Sequence, residues 1–254
     1  MMEYFVKPDA IVRQIWSDAD CILFIFGASS GEFALHKSVD WLFFTGKLPS
    51  DPIARLFSTV IYAQKIIFEE KTKAEQTLQN LKNIHVGVET NRGFQIPNWA
   101  YQDVLYMLVQ YSISSFELLH RALTTTEKEE IFEVFQKVGS KMGIAELPKD
   151  FEEWEIKRKH HLSENYQNSK FSTKLFEAYK THLGGLRFKL LLYVQQRLLP
   201  TEIKNLAANF RTPNLNILLH CYKITKTYWP AHQLKYYLLP GKYREMLRNL
   251  VRKN

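Results

Sequence analysis

Two cysteines in 254 residues, Cys21 and Cys221, leave no room for a disulfide framework. Each lies in an apolar stretch, so both read as buried thiols in a reducing compartment. Glycine (10) and proline (9) are also scarce for this length. All-β folds and glycine-loop-rich α/β folds need more punctuation than that. Long apolar runs are missing too: Cys21 to Ala28 is far shorter than the roughly 20 residues that cross a bilayer. Lys7, Asp9, Arg13, Asp18 and Asp20 interrupt the start of the chain, so it carries no secretion-signal pattern. The expectation is a cytoplasmic protein with no integral membrane segment.

What is present is ordinary for a globular protein: 46% hydrophobic and 24% charged residues. Such a chain buries enough surface to fold without staples, and residues 1–254 read as one domain. The net charge of +8 admits nucleic acid or anionic lipid as partners. The basic residues are scattered, however, except in Lys157-Arg158-Lys159-His160-His161 and the tail from Lys242 to Lys253. Both runs read as solvated helix faces, and no nucleic-acid partner is expected.

Apolar spacing is helical almost throughout, which predicts an all-α multi-helix bundle. Asp9 is expected to cap a short helix through Trp16. Asp18 to Phe44 reads as one long helix or two in series, ended by Gly46 and Pro49. Its small residues, Gly27 to Gly31, would let another helix approach closely. Asp51 with Pro52 is a strong helix start, with Ile53, Leu56, Phe57, Val60 and Ile61 on the buried face. Lys71 to Val88 forms a more charged helix with Leu78, Leu81, His85 and Val88 on one stripe, followed by a loop over 90–95. Pro97 opens an apolar helix to about Ala122. Thr126 with Glu129 or Glu130 signals the next start, and Gly143 its end. A further helix begins near Asp150. Four more follow, broken at Gly184-Gly185, Pro200, Pro213 and Pro240-Gly241.

Several strings mimic chemistry. Gly27-Ala-Ser29-Ser-Gly31 has the form of a nucleophile elbow and resembles a dehydrogenase glycine turn. Phe33 stands where that turn needs its third glycine, and a preceding strand is missing. Tyr166 to Lys170 and Tyr222 to Lys226 have dehydrogenase spacing without the βαβ setting. Glu117-x-x-His120 is half of a di-iron motif with no second copy. His160-His161 lacks partners at metal-ligand spacing. Arg55 and Thr59 share a helix face amid hydrophobic neighbours. Arg55 is either paired with an anion in the interior or a rim residue with a buried stem. A lone His85 on an apolar stripe is more often a hydrogen-bonded core residue than a ligand. A haem nevertheless needs only one protein ligand, whereas zinc wants three or four.

A set of residues in order resembles the MpaB-type oxygenase family, which includes the latex-clearing rubber oxygenases. These are Ile11-Val-Arg-Gln-Ile-Trp16-Ser-Asp18, Leu35-His36, Asp51-Pro52-x-x-Arg55-x-x-x-Thr59, Ile84-His85, Phe116-Glu117 and Leu239-Pro240. The resemblance implies an all-α bundle enclosing a haem-sized apolar pocket, with haem b as cofactor and iron as its metal. It places His85 on the proximal iron ligand and Arg55 and Thr59 on the residues lining the haem. It implies dioxygen and a small or lipophilic unsaturated substrate as partners. Phe44, Phe57, Phe68, Trp99 and Tyr106 are candidate walls for the haem slot. Two positions depart from the family pattern. Glu89 stands where many members have an Arg four residues after the His, and Ser58 where rubber oxygenases carry a Lys. They keep open an alternative, a non-enzymatic protein of the same fold binding haem, a lipid or a protein partner.

Overall fold

The computed structural model describes residues 3–43, 50–207, 215–225, 239–241 and 243–245. Every regular element among them is helical: α1 (Ile11–Ser17), α2 (Ala19–Ala34), α3 (Val39–Leu42), α4 (Pro52–Phe68), α5 (Lys71–Arg92), α6 (Asn98–Leu119), α7 (Thr125–Met142), α8 (Phe151–Glu164), α9 (Lys170–Leu183), α10 (Gly185–Leu198), α11 (Thr201–Leu206) and α12 (Asn216–Thr225). The all-α expectation holds. With no strand among the described residues, Gly27 and Gly31 sit inside a helix, and the dehydrogenase reading falls.

Start signals worked where a short side chain could reach back to a free amide. Asp51 accepts from the Ala54 amide at 2.9 Å, with Pro52 as first helical residue. Asp150 caps α8 through the Glu153 amide at 2.8 Å. Gly143 ends α7 in the left-handed conformation (φ 78°). Three details differ. The capping box of α7 is Thr124 with Glu127, two residues earlier than expected. α5 runs on to Arg92, into the first half of the expected loop, and stops where Gly93 turns left-handed. Ala10, not Asp9, stands at the cap of α1, with no side-chain bond. The signals at Phe44, Gly46, Pro49 and Pro213 lie outside the described residues, as does the basic tail apart from Tyr243, Arg244 and Glu245.

α2 is the central rod. It is buried along most of its length and packs on α6, α10, α1 and α9, as a helix that is apolar on all faces must. The small residues do allow a close approach. A Cβ on Gly27 would lie 2.7 Å from Val194 Cγ1, and one on Gly31 would lie 2.6 Å from Gln195 Cδ, both on α10. The Gln195 amide also donates to Ser30 Oγ at 3.0 Å. α2 stops at Ala34 because the next residues pair elsewhere. The Gln167 amide donates to the Leu35 carbonyl (2.8 Å), and the Lys37 amide to the Asn165 carbonyl (3.0 Å).

At the other end, Glu3 and Tyr4 lie along the start of α5. The Lys71 amide donates to the Glu3 carbonyl at 2.8 Å, and Tyr4 bridges to Glu70. Trp16 locks α1 inward, its indole donating to Ser112 Oγ on α6 (3.1 Å) while its carbonyl accepts from Gln64 on α4 (2.9 Å).

An ion pair joins α2 to α8. Arg158 Nη1 and Nη2 donate to Glu32 Oε1 and Oε2 at 2.8 and 2.6 Å, with both side chains sealed from solvent. The hydroxyls of Tyr111 and Tyr166 donate to the same carboxylate. The basic run at 157–161 is therefore not a solvated face throughout. Arg158 is core, His161 is largely buried, and Lys159 and His160 are exposed. Cysteine placement also splits: Cys21 is buried as expected, and Cys221 is exposed.

Two outcomes follow from this packing. Gly31→Ala is expected to cost about 1–3 kcal/mol by overpacking against Gln195, measured by urea denaturation. Arg158→Met alone should cost about 3–5 kcal/mol by stranding the Glu32 carboxylate. Adding Glu32→Leu to Arg158→Met should recover part of that loss in the same assay.

Candidate functional site

The buried polar centre extends from Glu32 to a histidine one helical turn on. His36 Nε2 donates to Asp103 Oδ2 at 3.0 Å, and its Nδ1 shares a hydrogen bond with Ser38 Oγ at 2.5 Å. Asp103, on α6, also accepts from His161 Nδ1 (2.9 Å) and Asn165 Nδ2 (2.7 Å). Burial pushes the Asp103 carboxyl up, but the bonds and charge from His161 and His36 outweigh it and hold the group below its usual value. The order hydroxyl, imidazole, carboxylate matches a hydrolase relay. Ser38, His36 and Asp103 are all buried, at 5%, 1% and 0% exposure, so no substrate reaches the hydroxyl. The cluster is structural. No spacing signal reveals it, because Asp103 and His161 lie far from His36 in sequence.

A second constellation lies along one face of α5. His85 is partly buried, and its Nδ1 is sealed without a hydrogen-bond partner among the described residues. Tyr101, in the first turn of α6, sets its ring edge-on at 5.2 Å. Burial lowers the His85 pKa below 6.5, and the Arg55 charge lowers it further, against the opposing Glu89. The imidazole is thus neutral at pH 7, with a lone pair available. Glu89, one turn on, accepts from the Ile96 amide (2.8 Å) and the Tyr101 hydroxyl (3.1 Å). These bonds tie the helix end to the loop that follows.

Arg92 lies seven residues after His85, on the same helical face. Its guanidinium sits 5.1 Å over the Trp41 ring. Its Nη1 is buried without a partner among the described residues. Its spacing of two helical turns from His85 is the sequence signal for it, and Glu89 occupies the nearer position on the same face. Trp41 meets Trp99 edge-on at 5.5 Å, and Trp99 meets His36 at 5.3 Å. Aromatic rings therefore connect the α5 face to the buried polar centre.

The other expected site residues are placed less tightly. Arg55 is exposed, which settles it as a rim residue, and its charge reaches His85 from α4. Thr59 is exposed, and its hydroxyl makes a long 3.4 Å bond to the Arg55 carbonyl. Ser58 Oγ donates to the same carbonyl at 2.7 Å. The proposed aromatic walls do not converge. Phe57 stacks on Tyr243 and touches Phe26, Phe68 lies under Arg13, and Tyr106 packs on Trp154 and His161. Of the described four, Trp99 is the one joined by ring contacts to the α5 face; Phe44 lies outside the described residues. Glu117 and His120 do not act together: Glu117 holds the Leu123 amide and Lys128, while His120 turns to Asp18.

The His85 environment sets a testable titration. In histidine-labelled protein followed by NMR, the His85 midpoint should fall below 6.5. Arg55→Gln should raise it, and Glu89→Gln should lower it further. A midpoint unmoved by Arg55→Gln would show that the two side chains do not share a site.

No helix among the described residues is long and apolar enough to cross a membrane. Comparison with curated proteins and with solved structures returns no match. The model of one family, described as ER-bound oxygenase mpaB/B'/Rubber oxygenase, catalytic domain, matches residues 22–248. With that match spanning nearly the whole all-α chain, the protein belongs to this oxygenase family.

Proposed function

We propose that the chain folds as one domain and works as a haem b-dependent oxygenase, using dioxygen on a small or lipophilic unsaturated substrate, with His85 as the residue that would bind the iron. The observation that carries the reading is the sealed, unpartnered Nδ1 of a neutral His85, on a face where Arg55 and Arg92 supply positive charge. A haem asks for one imidazole and for cations to meet its two propionates, and this donor set offers both. The two cysteines form no disulfide, in keeping with a reducing compartment such as the cytoplasm.

When bound, the haem supplies an iron centre for dioxygen; the chain supplies its placement and surroundings. Arg92, seated on Trp41, would meet one propionate. Arg55 would meet the other or offset negative charge near the group. The Thr59 hydroxyl, whose bond to the Arg55 carbonyl is long, would be the donor nearest to it on α4. Glu89, fixed by Ile96 and Tyr101, would accept a hydrogen bond from the His85 nitrogen that does not bind the metal and so orient the ring.

A second reading has its own support. Ser58 and Glu89 replace cations found in relatives, and the Ser58 hydroxyl is turned back onto its own helix. That favours a protein that kept the fold and binds haem, a lipid or a partner without turnover.

Haemin titration of wild type and His85→Ala, followed by absorption spectroscopy, separates these readings. A Soret band in wild type that is lost or shifted in His85→Ala is the expected outcome. An unchanged spectrum in His85→Ala would overturn the ligand assignment. A normal spectrum with no oxygen uptake on any unsaturated substrate would favour the second reading, and no band in wild type would end the haem proposal.

A further inference from the structure

α6 is a 22-residue rod with a different cluster at each end. Tyr101, near its start, faces His85. His120, which caps its end, lies roughly 28 Å away by helical rise. There the Asp18 carboxylate, the Cys21 thiol and the His120 imidazole each offer one ligand atom, and the three atoms lie within 4.8 Å of one another. His120 Nε2 is 2.7 Å from Asp18 Oδ2, and Cys21 Sγ is 3.7 Å from the same oxygen.

We propose that Asp18, Cys21 and His120 form a zinc(II) site, separate from the haem-type site and independent of it. The donor set carries the choice of ion. Sulfur, nitrogen and oxygen together suit a borderline cation, whereas magnesium and calcium take oxygen alone. Three protein ligands with a fourth position open to water is an established zinc arrangement. Burial is graded to match: Cys21 is sealed, Asp18 is partly buried and His120 is exposed, so the open position faces solvent.

The ligands are also held in place. Asp18 Oδ1 accepts from the Asp20 amide at 2.8 Å as the cap of α2, which leaves Oδ2 directed at the other two ligands. The His120 ring is stacked on Phe116 at 4.7 Å. Asp20 is committed elsewhere, accepting from the Tyr222 hydroxyl at 2.9 Å. To admit the ion, the His120–Asp18 hydrogen bond opens by a few tenths of an ångström, the proton leaves His120 Nε2 for Nδ1 or water, and the thiol gives up its proton to water. The ion then clamps the start of α2 to the end of α6, positions 102 residues apart in the chain.

Cobalt(II) tests this on full-length, haem-free protein stripped with chelator. Wild type should develop thiolate-to-cobalt charge transfer and tetrahedral visible bands, saturating at one equivalent and displaced by zinc. Cys21→Ser should lose the charge-transfer band, and Cys221→Ser should retain it. His120→Ala alters an exposed side chain and guards against a folding failure in Cys21→Ser. It should weaken cobalt binding while the helical circular dichroism stays unchanged. Zinc should raise the thermal midpoint of wild type and leave that of His120→Ala unmoved. The proposal fails if wild type shows no thiolate band, if the band follows Cys221, or if His120→Ala binds cobalt as wild type does. Because the protein is haem-free, none of these results bears on His85.

Discussion

Glu32 and Arg158 meet in a sealed interior, and much of the bundle is arranged to make that meeting tolerable. Burying two such groups is expensive, and their attraction repays the cost only when the remaining lone pairs and protons are satisfied. Here the guanidinium fork meets both carboxylate oxygens, and the Tyr111 and Tyr166 hydroxyls donate to the same carboxylate, which leaves Arg158 Nε as the one guanidinium nitrogen without a partner among the described residues. Burial alone would lower the Arg158 pKa, yet the Glu32 charge and the neighbouring tyrosines raise it well above normal. The pair draws α8 onto α2. Tyr166, whose ring lies 5.1 Å from His36, carries the constraint on to the second polar cluster around Asp103. A core joined by directional bonds admits fewer alternative packings than one joined by apolar contact alone.

The helices were legible because their signals are local. An Asp-Pro start, an Asp cap and a glycine stop act over three or four residues, and they placed α4, α8 and the end of α7 almost to the residue. The break after Ala34 was not legible. Nothing between Leu35 and Ser38 forbids a helix; what ends α2 is pairing with residues 165–167, more than a hundred positions away. The same applies to Arg158. Amid Lys157, Lys159 and His160 it has the look of solvent, and only the distant Glu32 makes it core. The burial of Cys21 and the exposure of Cys221 are likewise set by tertiary neighbours and not by flanking residues.

At the candidate site, the resemblance pointed to His85, Arg55 and Thr59, and the structure brings the charge of Arg55 to bear on His85. What it adds is Arg92 and its Trp41 seat. The departures at positions 58 and 89 acquire a physical meaning as well. Glu89 is bonded to Ile96 and Tyr101, so its carboxylate is engaged in holding a helix end. Ser58 is occupied with its own helix backbone. Arg92 keeps a cation on the α5 face, three residues beyond Glu89.

α5 itself is held unlike its neighbours. Only Ala74 and Leu78 are buried along its 22 residues. It packs on α4 and α7, and its ends are braced as well: Glu3 and Tyr4 lie across its first turn, and Gly93 with the Glu89 bonds closes its last. Stability in a folded chain is uneven, and an element with few buried contacts opens at lower cost than the core does. α5 therefore has the character of a door hung on a strong frame. His85 and Arg92 are mounted on the door, while Arg55, Thr59 and Trp41 belong to the frame, with the ion-paired core behind it. Local opening of α5 would therefore cost less than unfolding the bundle, and it would begin by releasing Glu3 and Tyr4 from Lys71 and Glu70.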